Sequence, residues 1–356
     1  MTAKVQPDSG APAQARVRQT WIDQARWAAI VLVVAGHAVG LLRGSSGLAL
    51  VMSNYVYIFH IPVFVLLAGW GARRAQADGA GLAKIFWQLL VPYVLFQLIA
   101  FGFNYRFEDD NPSWSFTSQT FGLWFLVALA GWRLMAPWFR GLRFAVPIAV
   151  LLALAAGLSS DFDGFLSLSR VLYFLPMFLL GPWLVDRISE WRGDVRFRIG
   201  GVAVLAAGAL LTLLLGGNFN REPFLGNVGY EAMNMSALEG TGWRLLALAA
   251  GTVMAAAFML ALPGRPNAPS RLGSWIAEAG RHTMYPYLLH LPLLTVVGST
   301  GLVDAGQPTL RTVAFMAASL AFCIVASSKP VRMVTAVVVE PRTLFPPAPR
   351  TVSSAP

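Results

Sequence analysis

Several long stretches of this chain carry no charged residue at all. Trp27–Leu42, Gly200–Leu215 and Ala314–Ala326 contain no Asp, Glu, Lys or Arg. With their flanks, such blocks approach the ~20 residues that an α-helix needs to cross a ~30 Å hydrocarbon layer. A backbone in lipid must satisfy its own hydrogen bonds, and blocks of this length do so as helices. Only 12% of the 356 residues are charged, about half the share in soluble domains, and the mean hydropathy is +0.59. The pattern predicts an all-α fold, a polytopic transmembrane helix bundle. About ten spans are expected, near residues 22–42, 50–72, 83–103, 119–136, 144–159, 165–185, 199–215, 243–262, 282–298 and 310–327. One cysteine, Cys323, has no partner for a disulfide, which excludes a secreted disulfide scaffold. Its apolar neighbours suit a buried, inert thiol.

The formal net charge of +10 invites a nucleic-acid reading, but its distribution argues against one. No basic stripe with interleaved aromatics stands clear of the apolar blocks. Basic residues instead gather in small groups at alternate block ends. Arg73, Arg74 and Lys84, then Arg133, Arg140 and Arg143, then Arg187, Arg192, Arg196 and Arg198, then Arg265, Arg271, Arg281, Lys329 and Arg332 fall on one side. With the tails, that side holds 21 of the 27 basic residues. The other side has Arg43, Arg106, Arg170, Arg221, Arg244 and Arg311, beside acidic residues such as Glu108, Asp109, Asp110, Asp161, Asp163, Glu222, Glu231, Glu239 and Asp304. Lys and Arg mark cytoplasmic segments, so both termini are expected in the cytoplasm. The expected organisation is a flexible cytoplasmic tail over 1–20, a transmembrane domain over 21–328 and a disordered cytoplasmic tail over 329–356. Two long outer loops, Asn104–Thr120 and Gly216–Gly242, contain Trp114, Phe116, Asn218, Asn220, Asn227, Tyr230 and Asn234. Two readings stay open for them: a surface for polar, ring-shaped ligands, and an interface belt.

Ionisable groups inside a membrane are costly and are functional candidates by default. His37 lies eleven residues past Arg26, His60 thirteen before Arg73 and His290 nine past Arg281. At 1.5 Å per residue these are roughly 16, 20 and 13 Å from one membrane face, so three imidazoles from three helices are expected near one depth. His282 is expected at the edge. Asp23, Arg26 and His37 fall within about 60° on one helical face, a polar stripe that must face protein or water. Asp23 and Arg26 are spaced to pair with each other, and Arg26 is equally suited to an anionic substrate group. Pro62 and Pro292 each follow a histidine by two residues, and a kink there would open space beside it. No cluster has the ligand spacing of a zinc site, and no metal is expected.

The stretch Asp23-Gln-Ala-Arg26 followed by Ile30-Val-Leu-Val-Val-Ala-Gly-His37 resembles the opening signature of the acyltransferase 3 family. The second span, Phe59-His-Ile-Pro-Val-Phe-Val-Leu-Leu-Ala-Gly-Trp70, is similar to a block of its fucose 4-O-acetylase-like branch. Ala68 stands where that block has serine. Val91-Pro-Tyr93, Leu123-Trp-Phe-Leu126, Phe174-Leu-Pro-Met-Phe-Leu-Leu-Gly181 and Tyr287-Leu-Leu-His290 follow in family order, over roughly residues 20 to 327. The resemblance implies acyl transfer from cytoplasmic acyl-CoA, usually acetyl-CoA, to a hydroxyl of a glycan, glycolipid or metabolite, with no bound cofactor. It carries Arg26 and His37 over as the signature pair and His60 and His290 as further motif positions. Arg26, Arg73 and Arg74 become candidates to hold acyl-CoA, with Asp23 and Arg170 as accessory residues. A neutral imidazole suits general-base work on a hydroxyl, and it can also act as a nucleophile, so two mechanisms stand. A transporter or flippase would also use central ionisable groups and kinked helices. The lack of an inverted repeat in hydropathy favours the enzyme, and retention of Arg26 and His37 argues against an inactive member.

Overall fold

The structure is a computed structural model that describes residues 20–76, 78–107, 115–159, 165–263 and 270–344. Residues 1–19, Glu108, Asp109, Asp110, Trp114, Asp161, Asp163, Arg265 and the tail from 345 onward lie outside the described residues. Among the described residues every regular element is a helix. In chain order they are α1 (Thr20–Gly40), α2 (Gly47–Ala72), α3 (Gly79–Ile85), a π-helical turn (Phe86–Leu90), α4 (Val91–Phe107), α5 (Trp124–Arg140), α6 (Ala145–Ala155), α7 (Leu168–Trp191) and α8 (Val195–Leu215). A short α9 (Glu222–Leu225), α10 (Ala237–Ala261), α11 (Arg271–Gly280), α12 (Met284–Gly298), α13 (Pro308–Ala326) and α14 (Lys329–Val339) complete the series.

Seven helical stretches are long and apolar enough to cross a membrane: α1, α2, Gly79–Phe107, α7, Val195–Asn218, α10 and α13. The other three expected spans fall on α5, α6 and α12, helices of 17, 11 and 15 residues. An 11-residue helix rises only about 16 Å, short of a full crossing. Outward-facing leucines and valines such as Val204, Leu210, Leu211 and Leu214 of α8 are exposed, as a lipid-facing surface requires.

The core forms where backbones touch. A Cβ placed on Gly69 of α2 would lie 1.8 Å from the carbonyl oxygen of Phe178 in α7, and one on Gly181 of α7 would lie 2.3 Å from that of Leu66 in α2. Only glycine allows this approach, and Trp132, Phe174, Phe178, Leu66 and Leu67 pack around it. Gly280 of α11 seats in the same way against the backbone of Asp23 in α1.

Contacts between helices sort into two ends. At one, here the Arg26 end, Trp70 Nε1 donates to Asp186 at 2.7 Å and Arg192 Nη1 donates to the Met259 carbonyl at 2.7 Å. Arg140 donates to the carbonyls of Arg73 and Ala75. At the other, the Arg43 end, the Ser46 and Thr312 hydroxyls lie 2.9 Å apart and Arg311 Nη2 donates to Ser45 Oγ at 2.7 Å. There the buried Arg244 donates to the carbonyls of Ala153 and Val228, with Tyr173 and Tyr230 against its guanidinium.

Two expectations need correction. The segment 329–356, read as a disordered tail, begins as α14. Pro330 lies in its first turn, where a missing N–H costs nothing, and Val339 is buried against Tyr285, Ile85 and Leu89. Tyr230, read as a ligand or interface residue, is buried, and its hydroxyl donates to the Leu154 carbonyl at 2.8 Å.

Candidate functional site

His60 on α2 and His290 on α12 use one local device. Each imidazole Nδ1 contacts the carbonyl four residues back in its own helix, His60 to Val56 at 2.8 Å and His290 to Pro286 at 3.0 Å. A carbonyl only accepts, so each Nδ1 carries the proton and each Nε2 keeps its lone pair. His290 Nε2 lies 3.3 Å from Nδ1 of His37 on α1. That lone pair therefore accepts from His37 Nδ1–H, which leaves the lone pair of His37 on Nε2. Among the described residues no protein group takes up His37 Nε2. His290 and His60 are 0% and 1% exposed, whereas His37 is half-buried.

Tyr57 joins the third histidine to the pair. Its ring is stacked toward His37 at 6.2 Å between centroids and meets His60 edge-on at 4.7 Å. The structure thus gathers His37, His60 and His290 from three helices around one tyrosine. Tyr57 was not singled out in the sequence, although a signal exists. Tyr57-Ile-Phe-His60 and Tyr287-Leu-Leu-His290 share the Tyr-x-x-His spacing, which stacks the two rings one helical turn apart.

The chain before α5 closes one side of this group. A Cβ on Gly122 would come within 3.3 Å of His37 Cε1, and the Tyr287 hydroxyl donates to the Gly122 carbonyl. Gln97 of α4 fixes the loop by donating to the Ser115 carbonyl at 2.9 Å and accepting from Thr120 N–H at 3.2 Å. The Tyr93 hydroxyl donates to the Phe116 carbonyl. Ser167 Oγ, just before α7, donates to Gln119 Oε1 at 2.6 Å. The start of the expected span 119–136 thereby forms part of the wall around His37, held by the end of the expected outer loop.

Toward the Arg43 end, the guanidinium of Arg170 lies 5.0 Å from the Trp124 ring and its charge acts on both His37 and Tyr57. Arg221 lies 5.1 Å from the Tyr57 ring. Arg170, expected from the sequence as an accessory residue, thus lies within electrostatic reach of His37 and Tyr57. Arg43 and Arg221 were read only as topological charges.

The Arg26 end holds a second, separate group. Arg26 Nη1 lies 3.1 Å from Asp23 Oδ1, and Arg281 Nε lies 3.7 Å from Asp23 Oδ2. Asp23 is 2% exposed and Arg26 is 28% exposed, so the pairing reading of Arg26 is realised with its side chain still partly exposed. By helix rise Arg26 stands roughly 16 Å from His37, and it touches neither histidine pair nor Tyr57. Beside it, a cavity of about 480 Å³ is lined by Arg74, Lys84, Arg133, Gln76 and Gln88. The π-helical turn after α3, a rare distortion that often marks functional sites, contributes Gln88. Of the arginines proposed to hold acyl-CoA, only Arg74 lines this cavity. Arg73 instead stacks on Trp70 at 3.6 Å and donates to its carbonyl. Lys84 and Arg133 line the cavity instead, together with Asp78, and Arg133 lies close enough to Arg26 for their charges to interact. His282 contacts Glu278 at 3.2 Å, away from the other histidines.

No curated protein and no solved structure matches this chain. A family model described as an acyltransferase domain matches residues 19–328. That match covers the bundle from α1 through α13, and the chain accordingly belongs to the acyltransferase 3 family of membrane acyltransferases.

Proposed function

We propose that the protein moves an acyl group, acetyl in the simplest case, from acyl-CoA bound at the Arg26 end to a hydroxyl of a glycan, glycolipid or metabolite presented from the Arg43 end. The Arg26 end faces the cytoplasm in this reading, supported by the bias of Lys and Arg toward it. Acyl-CoA phosphates are held by Arg74, Lys84 and Arg133, whose charges line the cavity there. The partly exposed Arg26 stands beside them. The pantetheine arm then runs along α1 for roughly 16 Å to the histidines.

The observation that carries the reading is the chain of contacts from Pro286 through His290 to His37. In neutral His37 it puts the proton on Nδ1 and the lone pair on Nε2, the tautomer a general base at Nε2 requires. An acceptor hydroxyl attacks the thioester carbonyl as its proton passes to Nε2. The carbon–sulfur bond then breaks, and the CoA thiolate leaves and takes the proton back from the imidazolium. The ester is formed, CoA-SH departs, and His37 returns to its starting state. Metal or redox chemistry plays no part in this balance.

The test uses purified protein in lipid nanodiscs with radiolabelled acetyl-CoA. Acetyl transfer or acetyl-CoA hydrolysis is expected from the wild type and is reduced at least about 100-fold in His37→Ala, the usual scale for a lost general base. Wild-type rates from folded His37→Ala would sink the assignment.

A further inference from the structure

Above the histidines, toward the Arg43 end, positive charge accumulates that the proton transfer does not use. Arg43 Nη2 donates to Asn54 Oδ1 at 2.9 Å, and Arg221 Nη1 donates to Ser53 Oγ at 3.2 Å. Ser53 and Asn54 are themselves buried, 0% exposed each, on the turn of α2 that precedes Tyr57. Both guanidiniums are thus hydrogen-bonded to neutral partners, and among the described residues the Nε atom of each has no hydrogen-bond partner. The carboxylate placed against them is Glu222, 3.8 Å from Arg221 Nε and also felt by Arg43. Among the described residues these two guanidiniums share the carboxylate of Glu222.

These groups are continuous with the reacting centre. The Tyr57 ring lies 5.1 Å from the Arg221 guanidinium and 6.2 Å from the His37 ring. Arg43, Arg221, Arg170, Tyr57 and His37 all keep partial exposure, while Ser53, Asn54, His60 and His290 behind them are buried. Guanidinium recognises carboxylate and phosphate through paired N–H donors, and its value rises where water is excluded.

We propose that the acceptor is anionic: a carboxylate or phosphate on the acceptor is held by Arg43 and Arg221, which sets its hydroxyl against His37. The inference rests on the acyl-transfer reading for the identity of the ligand as acceptor, and its test separates the two. Binding is measured in phosphatidylcholine nanodiscs with methyl glucoside, methyl glucuronide and glucose 6-phosphate as probes. At least one of the charged sugars is expected to bind about tenfold or more tightly than the neutral one, the effect of a single charge-assisted hydrogen bond. Which of the two wins identifies carboxylate or phosphate as the group read. In Arg221→Gln and Arg43→Gln the preference falls toward unity, and Arg221→Lys, which keeps the charge but loses the fork, recovers part of it.

Equal binding of all three sugars by the wild type overturns the proposal without need of any variant. Nanodiscs of phosphatidylglycerol present lipid phosphate without the choline cation that neutralises it in phosphatidylcholine, and so test lipid headgroups as the competing source. The preference is expected to persist there, and its loss would reassign the arginines to lipid headgroups and overturn the acceptor site. Acetyl transfer is read on the same preparations. Transfer without charge preference leaves the acyltransferase mechanism standing and removes the anion site. Charge preference without transfer or acetyl-CoA hydrolysis does the reverse for the mechanism.

Discussion

His290 Nε2 accepts from His37 Nδ1 at 3.3 Å, across 253 residues of sequence, and so the basicity of one helix is set by another. Removing the acceptor frees His37 to take the other tautomer and to turn away. His290→Ala is expected to lower kcat by about 10–100-fold, less than His37→Ala, with the double variant no worse than His37→Ala alone, because residues acting as a unit are not additive. His290→Gln, whose side-chain oxygen also accepts, should recover part of the loss. Steady-state kinetics on the four proteins check this, and fully additive losses would show that the two imidazoles act independently.

Asp23 holds Arg26 and Arg281 at once and is itself buried. Asp23→Asn removes the carboxylate from Arg26 and Arg281, of which Arg281 keeps Glu278 at 2.8 Å, and a loss of about 2 kcal/mol is expected from the broken charge-assisted contacts. Thermal unfolding in detergent should show a midpoint lower by several degrees. Arg281→Gln alone leaves Arg26 on the carboxylate and should lower the midpoint less. An unchanged midpoint in Asp23→Asn would mean that solvent, not the carboxylate, carries the arginines.

A methyl group at Gly69 has no place to go, since its ideal position is 1.8 Å from the Phe178 carbonyl oxygen. Gly69→Ala is expected to abolish the monodisperse folded species on size-exclusion chromatography, and Gly181→Ala to do nearly the same. Gly102→Ala in α4 is the matched control. Its Cβ would meet nothing within 4 Å, and the substitution should be neutral or stabilising by about 0.5–1 kcal/mol.

The cavity beside Arg26 makes a kinetic prediction. Lys84→Gln and Arg133→Gln should each raise KM for acetyl-CoA about tenfold, with kcat changed far less, as expected when binding shared by ground and transition states is lost. An acyl-pantetheine donor that lacks the nucleotide phosphates should show no such increase. If kcat falls and KM holds, the cavity does not bind the donor.

The bundle was legible in the sequence because lipid imposes a length: α1, α2, α7, α8, α10 and α13 all lie where apolar blocks predict them. The interfacial pieces were not. α11 is ten residues long and α14 eleven, too short to register against a span and recognisable only by the faces they seat on α1 and α12. The depth agreement of His37, His60 and His290 follows from counting residues, since helix rise is a fixed ruler. Their hydrogen-bond order is not countable, for it depends on how α12 is rotated against α1. Gly122 and Gln97 lie beyond sequence reasoning altogether, because the loop they shape folds back into the bundle through contacts made by three other helices. Arg221 was visible as a charge and hidden as a neighbour of Tyr57.

The reciprocal seats of Gly69 and Gly181 carry a mechanical meaning. Two helices whose carbonyls occupy the space of each other's missing side chains can neither slide nor rock without collision. α2 and α7 form a wall rather than a gate. A machine that carries whole solutes across a membrane by parting its halves would need its seam elsewhere. Around so stiff a partition, the simplest traffic is a fragment of a few atoms handed past, while the two large molecules that exchange it stay on their own sides.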